Sequence, residues 1–191
     1  MVKTRSKGLI LKQIRTERVY DAKVFKVSKI TLDRNGEEII HSVVNFPGTV
    51  CVLPITKNGK ILLEKQYRTP ADRYLIEIPA GKMDKNEAPE VTMLRELEEE
   101  TGFKAVKYEK CYEAFTSCGC MDEYLHYFIA QVEKISESKR ELFPDTHEDI
   151  ELFEVTVEEA LELVKNNEII DAKTIMMINA YAAGQILIKS S

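Results

Sequence analysis

A chain of 191 residues with 44% hydrophobic and 31% charged residues suits one soluble globular domain, with room for a small extension. A formal net charge of −5 without any block of Lys and Arg gives no support for nucleic-acid binding, and no apolar run of about 18 residues offers a transmembrane helix. The basic N-terminus holds only Gly8-Leu9-Ile10-Leu11 as an apolar run, too short for a signal peptide, so a cytoplasmic location is expected, with Cys51, Cys111, Cys118 and Cys120 as free thiols.

Val19 to Leu32 alternates loosely and is rich in Val, Ile and aromatic residues, which predicts a strand. Arg34-Asn35-Gly36-Glu37 is a hairpin signal, with Glu38 to Val44 returning. A second hairpin is expected from Thr49 to Ile55 and Lys60 to Tyr67 around Lys57-Asn58-Gly59, then a short strand from Tyr74 to Ile78 leading into Pro79-Ala80-Gly81. A helix is expected from about Ala88, with Pro89 in its first turn, Val91, Leu94 and Leu97 packed on a sheet, and Gly102 ending it. Val106 to Ala114 and Tyr124 to Val132 read as strands, and Glu133 to Asp149 as a long loop. Ile150 to Val155 reads as a last strand. Thr156-Val157-Glu158-Glu159 is a capping box opening a helix to about Lys165, and Asp171 can cap a final helix. Mostly antiparallel strands with interspersed helices make an α+β protein.

The chemistry is concentrated between Gly81 and Phe103. In a helix, Glu96, Glu99 and Glu100 stand at i, i+3 and i+4, so three carboxylates crowd one face. Like charges that close cost about 1 kcal/mol per pair in water and about 4 kcal/mol in a partly buried site. A divalent cation removes that cost, and carboxylate oxygens suit Mg²⁺ or Mn²⁺. Arg95 lies four residues before Glu99 and can pair with it, which makes it an orienting residue. Cys118-Gly119-Cys120 has the spacing of a metal or redox pair but no second pair beside it, and His41, His126 and His147 show no ligand spacing.

The spacing Gly81, five residues, Glu87, seven residues, Arg95-Glu96-Leu97, one residue, Glu99-Glu100, one residue, Gly102-Phe103 resembles the Nudix box at every fixed position. The resemblance implies the Nudix fold, a mixed sheet sandwiched between helices, here with an N-terminal antiparallel β extension. It also implies metal-dependent cleavage of a nucleoside diphosphate joined to a further group. It gives Glu96, Glu99, Glu100 and the backbone carbonyl of Ala80 as metal ligands, Mg²⁺ first and Mn²⁺ second, and a structural role to Glu87.

Beyond the box the chain is similar to the ADP-ribose pyrophosphatase branch, from about Val19 to Ala183. Glu64-Lys65-Gln66-Tyr67-Arg68 resembles its Gln-x-Arg strand, which implies that Arg68 binds the substrate diphosphate. Glu77-Ile78-Pro79-Ala80-Gly81-Lys82 matches its lead-in to the box. Ser117-Cys118-Gly119 with Glu123 looks like its substrate-contacting Ser-Pro-Gly segment, with Cys118 in place of the proline. His41-Ser42 stands where many relatives carry Arg-Glu. His147-Glu148-Asp149-Ile150-Glu151 resembles the loop of the catalytic base, which would be Glu148; the acidic neighbours Asp145, Asp149 and Glu151 leave that choice open on the residues alone. Tyr20 and Phe25 are candidates to stack on the base.

Residues 1–46 are expected to form a strand arm exchanged in a homodimer, and residues 47–191 the hydrolase domain. The expected substrate is ADP-ribose or a related ADP-sugar. GDP-mannose, a dinucleoside polyphosphate or NADH is the alternative, and a non-catalytic ADP-ribose-binding module a further one. No nucleic-acid or membrane partner is expected.

Overall fold

The computed structural model describes residues 11–143 and 149–189, which form two compact units. The first unit runs to Pro47 and takes in Phe115–Tyr124; the second comprises Gly48–Ala114 and the chain from Leu125 onward.

In the first unit, β1 (Leu11–Asp21), β2 (Lys26–Arg34) and β3 (Glu37–Asn45) form an antiparallel meander in the order β1-β2-β3. The single strand expected from Val19 to Leu32 is therefore divided. Asp21 and Lys26 pair across a turn closed by the Ala22 N–H donating to the Phe25 carbonyl at 3.0 Å. The next turn follows its sequence signal. Asn35 and Gly36 both take positive φ (53° and 91°), as a tight hairpin matched to strand twist requires, and the Asp33 carboxylate accepts the Gly36 N–H at 2.7 Å. Phe115–Tyr124 is tied to the end of β3: the Val44 N–H donates to the Cys120 carbonyl and the Asp122 N–H to the Val44 carbonyl.

The second unit is built on a mixed sheet ordered β10-β5-β4-β9-β8, with β6 added to β5 and β7 to β4. The strands are β4 (Thr49–Thr56), β5 (Ile61–Arg68), β6 (Arg73–Glu77), β7 (Ala80–Lys82), β8 (Phe103–Phe115), β9 (Tyr124–Lys134) and β10 (Ile150–Val155). β4 runs parallel to β9 and antiparallel to β5, and is buried along its whole length. A central strand covered on both faces must be apolar at successive positions, and Val-Cys-Val-Leu-Pro-Ile is such a run.

Alternation sorts these side chains into two layers. Cys51, Leu53 and Ile55 with Tyr127 and Ile129 pack against Ala160 of α2 (Val157–Lys165) and Met177 and Ile178 of α3 (Ala172–Ala182). Val50 and Val52 with Phe128 and Ala130 pack against Met93 and Leu97 of α1 (Pro89–Thr101). A mixed sheet lies between helices, as the α+β reading expects.

The packed face of α1 differs from the expectation. Leu97 is fully buried, but Val91 and Leu94 are 54% and 37% exposed; Met93 and Glu100 complete the inner face instead. Positions 93, 97 and 100 stand at i, i+4 and i+7, so a carboxylate shares the core-facing stripe. Both later caps are as expected: Thr156 and Glu159 form a reciprocal capping box on α2, and Asp171 accepts the Thr174 N–H at the start of α3. No helix among the described residues is long and apolar enough to cross a membrane.

Candidate active site

The site grows from the junction of β6, β7 and α1. After Glu77 the backbone is held from two sides: the Val52 N–H of β4 donates to the Pro79 carbonyl at 3.0 Å, and the Ile78 N–H donates to the Thr174 hydroxyl of α3 at 2.9 Å. Ala80 and Gly81 then pair with Cys51 and Val50.

Gly81 has a steric purpose. A Cβ at this position would stand 1.9 Å from the Glu96 carboxyl carbon and 2.2 Å from one of its oxygens. Glycine alone allows this carboxylate to reach the β7 backbone. One residue earlier, the Ala80 N–H donates to Glu100 Oε2 at 3.0 Å, which gives the buried Glu100 a fixed direction. The clash in a Gly81→Ala variant falls on the movable end of a side chain, so the fold is expected to persist while Glu96 is displaced. A loss of turnover of roughly a hundredfold or more, with less than about 2 kcal/mol of destabilisation, is the expected result; it is checked by steady-state kinetics beside thermal denaturation.

Arg95 organises the other carboxylates. Its Nη1 donates to Glu96 Oε1 at 2.9 Å and to Glu99 Oε2 at 2.8 Å; its Nη2 donates to Glu87 Oε2 at 3.1 Å and to the Lys82 carbonyl at 3.2 Å. Glu87 also accepts from the Thr92 hydroxyl at 2.8 Å and the Asp84 N–H at 3.2 Å, so it locks the turn before α1. The hydrogen bonds from Arg95, reinforced by Thr92 and the Asp84 amide against a smaller opposing effect of burial, lower the Glu87 carboxyl to about 2. A carboxylate lowered on folding stabilises the native state above its ordinary value and loses that contribution as pH falls through the folded value. Wild-type stability is expected to decline from about pH 4.5 toward pH 2, and Glu87→Gln to flatten that stretch; chemical denaturation at stepped pH reads the slope.

The C-terminal end of α1 is closed by two groups. Gly102 takes φ 68°, and the Arg140 Nη2 donates to the Glu99 carbonyl at 2.9 Å. The bare α-carbon of Gly102 leaves room for that guanidinium, whose carbon lies 3.1 Å from where a Cβ would stand.

Hard oxygen donors on one helix fit a divalent cation. Glu96 and Glu99 already converge on a single positive atom, Arg95 Nη1, and Glu100 is aimed at Ala80, whose carbonyl belongs to the same expected donor set. Among the described residues no three His, Cys, Asp or Glu side chains are gathered into a preformed cluster, and Glu96 and Glu99 face the Arg95 guanidinium. Open clefts of about 580 and 720 Å³ lie elsewhere, the first against Tyr112 and α3, the second beside Glu98 and Lys104. Neither is lined by Glu96, Glu99 or Glu100.

Arg68 ends β5, and its guanidinium grips Glu77 bidentately, Nε to Oε1 at 2.8 Å and Nη2 to Oε2 at 3.0 Å. Burial disfavours the Arg68 charge, but Glu77, Glu64 and Glu100 together raise its pKa above the ordinary value. Lys173 and Thr174, joined to this candidate through Glu77 and the Ile78 amide, were not singled out by the sequence. A lysine in the first turn of α3, two residues after a capping aspartate, was the available signal.

The remaining candidates belong to the first unit. Tyr20 and Phe25 have ring centroids 6.1 Å apart, and Phe25 stacks on Phe46 at 6.5 Å with 6° between the planes, so Phe46 is an aromatic partner the sequence did not single out. Glu123 accepts from the Thr116 hydroxyl at 2.7 Å, and the Ser117 hydroxyl lies 3.8 Å from Cys120 Sγ. Cys118 and Cys120 are exposed free thiols. Glu148, the expected base, lies outside the described residues.

A family model described as NUDIX domain matches residues 45–177. The chain is 44% identical to an ADP-ribose pyrophosphatase of Bacillus subtilis (strain 168), over 97% of each protein. It is 38% identical to a methanol dehydrogenase activator of Bacillus methanolicus, over 87% of this chain and 90% of that protein. A solved structure described as an ADP compounds hydrolase superposes with a TM-score of 0.79 at 20% identity, covering 94% of this chain and 98% of the other, and supports the fold.

Proposed function

We propose, because the chain belongs to the Nudix hydrolase family, that it hydrolyses the diphosphate bond of ADP-ribose or a related ADP-sugar, giving AMP and a sugar phosphate in a Mg²⁺-dependent reaction. The observation that carries the chemistry is the seating of Glu96 where a Gly81 side chain would stand, with Glu100 on the Ala80 amide. The 44% identity to an ADP-ribose pyrophosphatase supports the substrate.

Glu96, Glu99, Glu100 and the Ala80 carbonyl would hold the metal. When bound, it supplies Lewis-acid polarisation of the phosphoryl oxygens and a water acidic enough to attack. Arg95 keeps Glu96 and Glu99 pointed and spaced while they carry like charge. Arg68 binds the diphosphate, for which its planar fork is as well matched as for the Glu77 carboxylate. Glu148 takes the proton of the attacking water. Tyr20 and Phe25 receive the base, and Ser117 and Glu123 contact the substrate.

Residues 1–46 act as an arm exchanged in a homodimer, residues 47–191 as the hydrolase domain, and the protein works in the cytoplasm. Exposed Leu11, Ile14, Val19, Tyr20 and Ile40 on the β1–β3 sheet support a second copy as the covering surface, and four free cysteines support a reducing compartment. A panel of ADP-ribose, GDP-mannose, dinucleoside polyphosphates and NADH compared by kcat/KM with Mg²⁺ tests the substrate. Preference for a non-adenine sugar nucleotide would overturn it, and sedimentation as a fully active monomer would remove the dimer.

A further inference from the structure

We propose that Lys173 is the permanent counter-ion of buried Glu77, and that its charge leaves Arg68 able to exchange Glu77 for the diphosphate of the substrate. The inference rests on the reading of Arg68 as the diphosphate ligand.

Glu77 is 2% exposed and holds two cations. Arg68 takes both of its oxygens, and the Lys173 ammonium bonds to Oε2 as well. The cations differ in access: the Arg68 side chain is 35% exposed, that of Lys173 only 14%. Lys173 is fixed further by Asp171 at 3.1 Å. The same Asp171 oxygen accepts the Thr174 N–H at 3.0 Å and the Thr174 hydroxyl at 2.6 Å, and that hydroxyl accepts the Ile78 N–H two residues before Ala80. The inner cation is thus built into the first turn of α3, while the outer one stands at the C-terminal end of β5, where burial gives way to partial exposure.

A carboxylate this deeply buried cannot be left without a counter-charge cheaply. With Arg68 as its only cation, Glu77 would hold the guanidinium against any ligand. With Lys173 in place, Arg68 can turn to a phosphate and exchange one bidentate partner for another of like geometry, while Glu77 stays neutralised. The titration of the pair agrees. Burial alone would raise the Glu77 carboxyl, but the Arg68 hydrogen bonds and the Lys173 charge outweigh it and hold it below its ordinary value.

The test measures ADP binding by calorimetry and steady-state kinetics on ADP-ribose, with thermal denaturation on every variant. Lys173→Met is expected to weaken ADP and raise KM by about tenfold while kcat stays within about threefold, and Lys173→Arg to restore both. Glu77→Gln, which removes the competing charge, is expected to bind ADP at least as tightly as wild type. Arg68→Ala is the control and should weaken ADP by about tenfold or more. If Lys173→Met lowers the melting temperature but leaves ADP affinity and KM at wild-type values while Arg68→Ala weakens binding, Lys173 is structural only and the inference fails, with Arg68 still the diphosphate ligand. An Arg68→Ala variant that binds ADP normally removes the Arg68 reading and this inference together. Weakened ADP binding in Glu77→Gln overturns the inference even if Lys173→Met does not fold.

Discussion

Glu100→Gln is expected to lower kcat on ADP-ribose by roughly three orders of magnitude, equivalent to about 4 kcal/mol of transition-state stabilisation, with the fold intact. The amide keeps an oxygen that can accept the Ala80 N–H, so the hydrogen bond that fixes this side chain survives. What disappears is the negative charge, on the one box carboxylate buried in the α1 face at 6% exposure. The measurement pairs turnover with Mn²⁺ titration calorimetry, since a lost ligand weakens cation binding as well as catalysis. Unchanged turnover would remove Glu100 from the metal site. Near-normal cation affinity with lost turnover would assign it to the reaction alone.

Arg95→Ala carries the largest expected effect on stability. Its guanidinium serves Glu87, Glu96, Glu99 and the Lys82 carbonyl, and its removal takes the shared cation from three carboxylates. About 3 kcal/mol of destabilisation at neutral pH is expected, by analogy with removing one partner of a partly buried ion network. In a chain of this length that lowers the melting temperature by about 6–12 °C. Mg²⁺ should restore more stability to the variant than it adds to wild type, because a cation among the carboxylates replaces the missing charge. Melting curves with and without Mg²⁺ decide this, and equal increments in the two proteins would count against a shared Arg95–metal role. Arg95→Lys should recover little, since one ammonium cannot span the directions of a planar fork.

Local signals were legible where a few neighbouring residues suffice to set the backbone. Asn35-Gly36 makes its turn, Thr156 and Glu159 make their capping box, Asp171 opens its helix, and Gly102 closes α1. The helix boundaries of the box and the Arg95–Glu99 pair followed from the same short-range physics. The long strand expected from Val19 was misread because hydrophobic alternation continues through the Asp21–Lys26 turn and does not mark it. Val91 and Leu94 were misplaced because periodicity names a stripe but not which edge of it a sheet will cover. Glu100, a charged residue, takes an inner position where an amide donor 20 residues away in the chain bonds to it.

By itself the sequence determined the helix that carries the carboxylates, their spacing, the glycine before them and the family to which the chain belongs, since all of these are written in one contiguous run. Tertiary structure decided the rest. It brought Glu96 against the bare α-carbon of Gly81, joined Arg68 to Glu77, and delivered Lys173 to Glu77 and Thr174 to the Ile78 amide from 96 residues away. Side-chain partners that distant are chosen by how the α3 layer docks on the sheet, and nothing in the residues around Lys173 states which carboxylate it will meet.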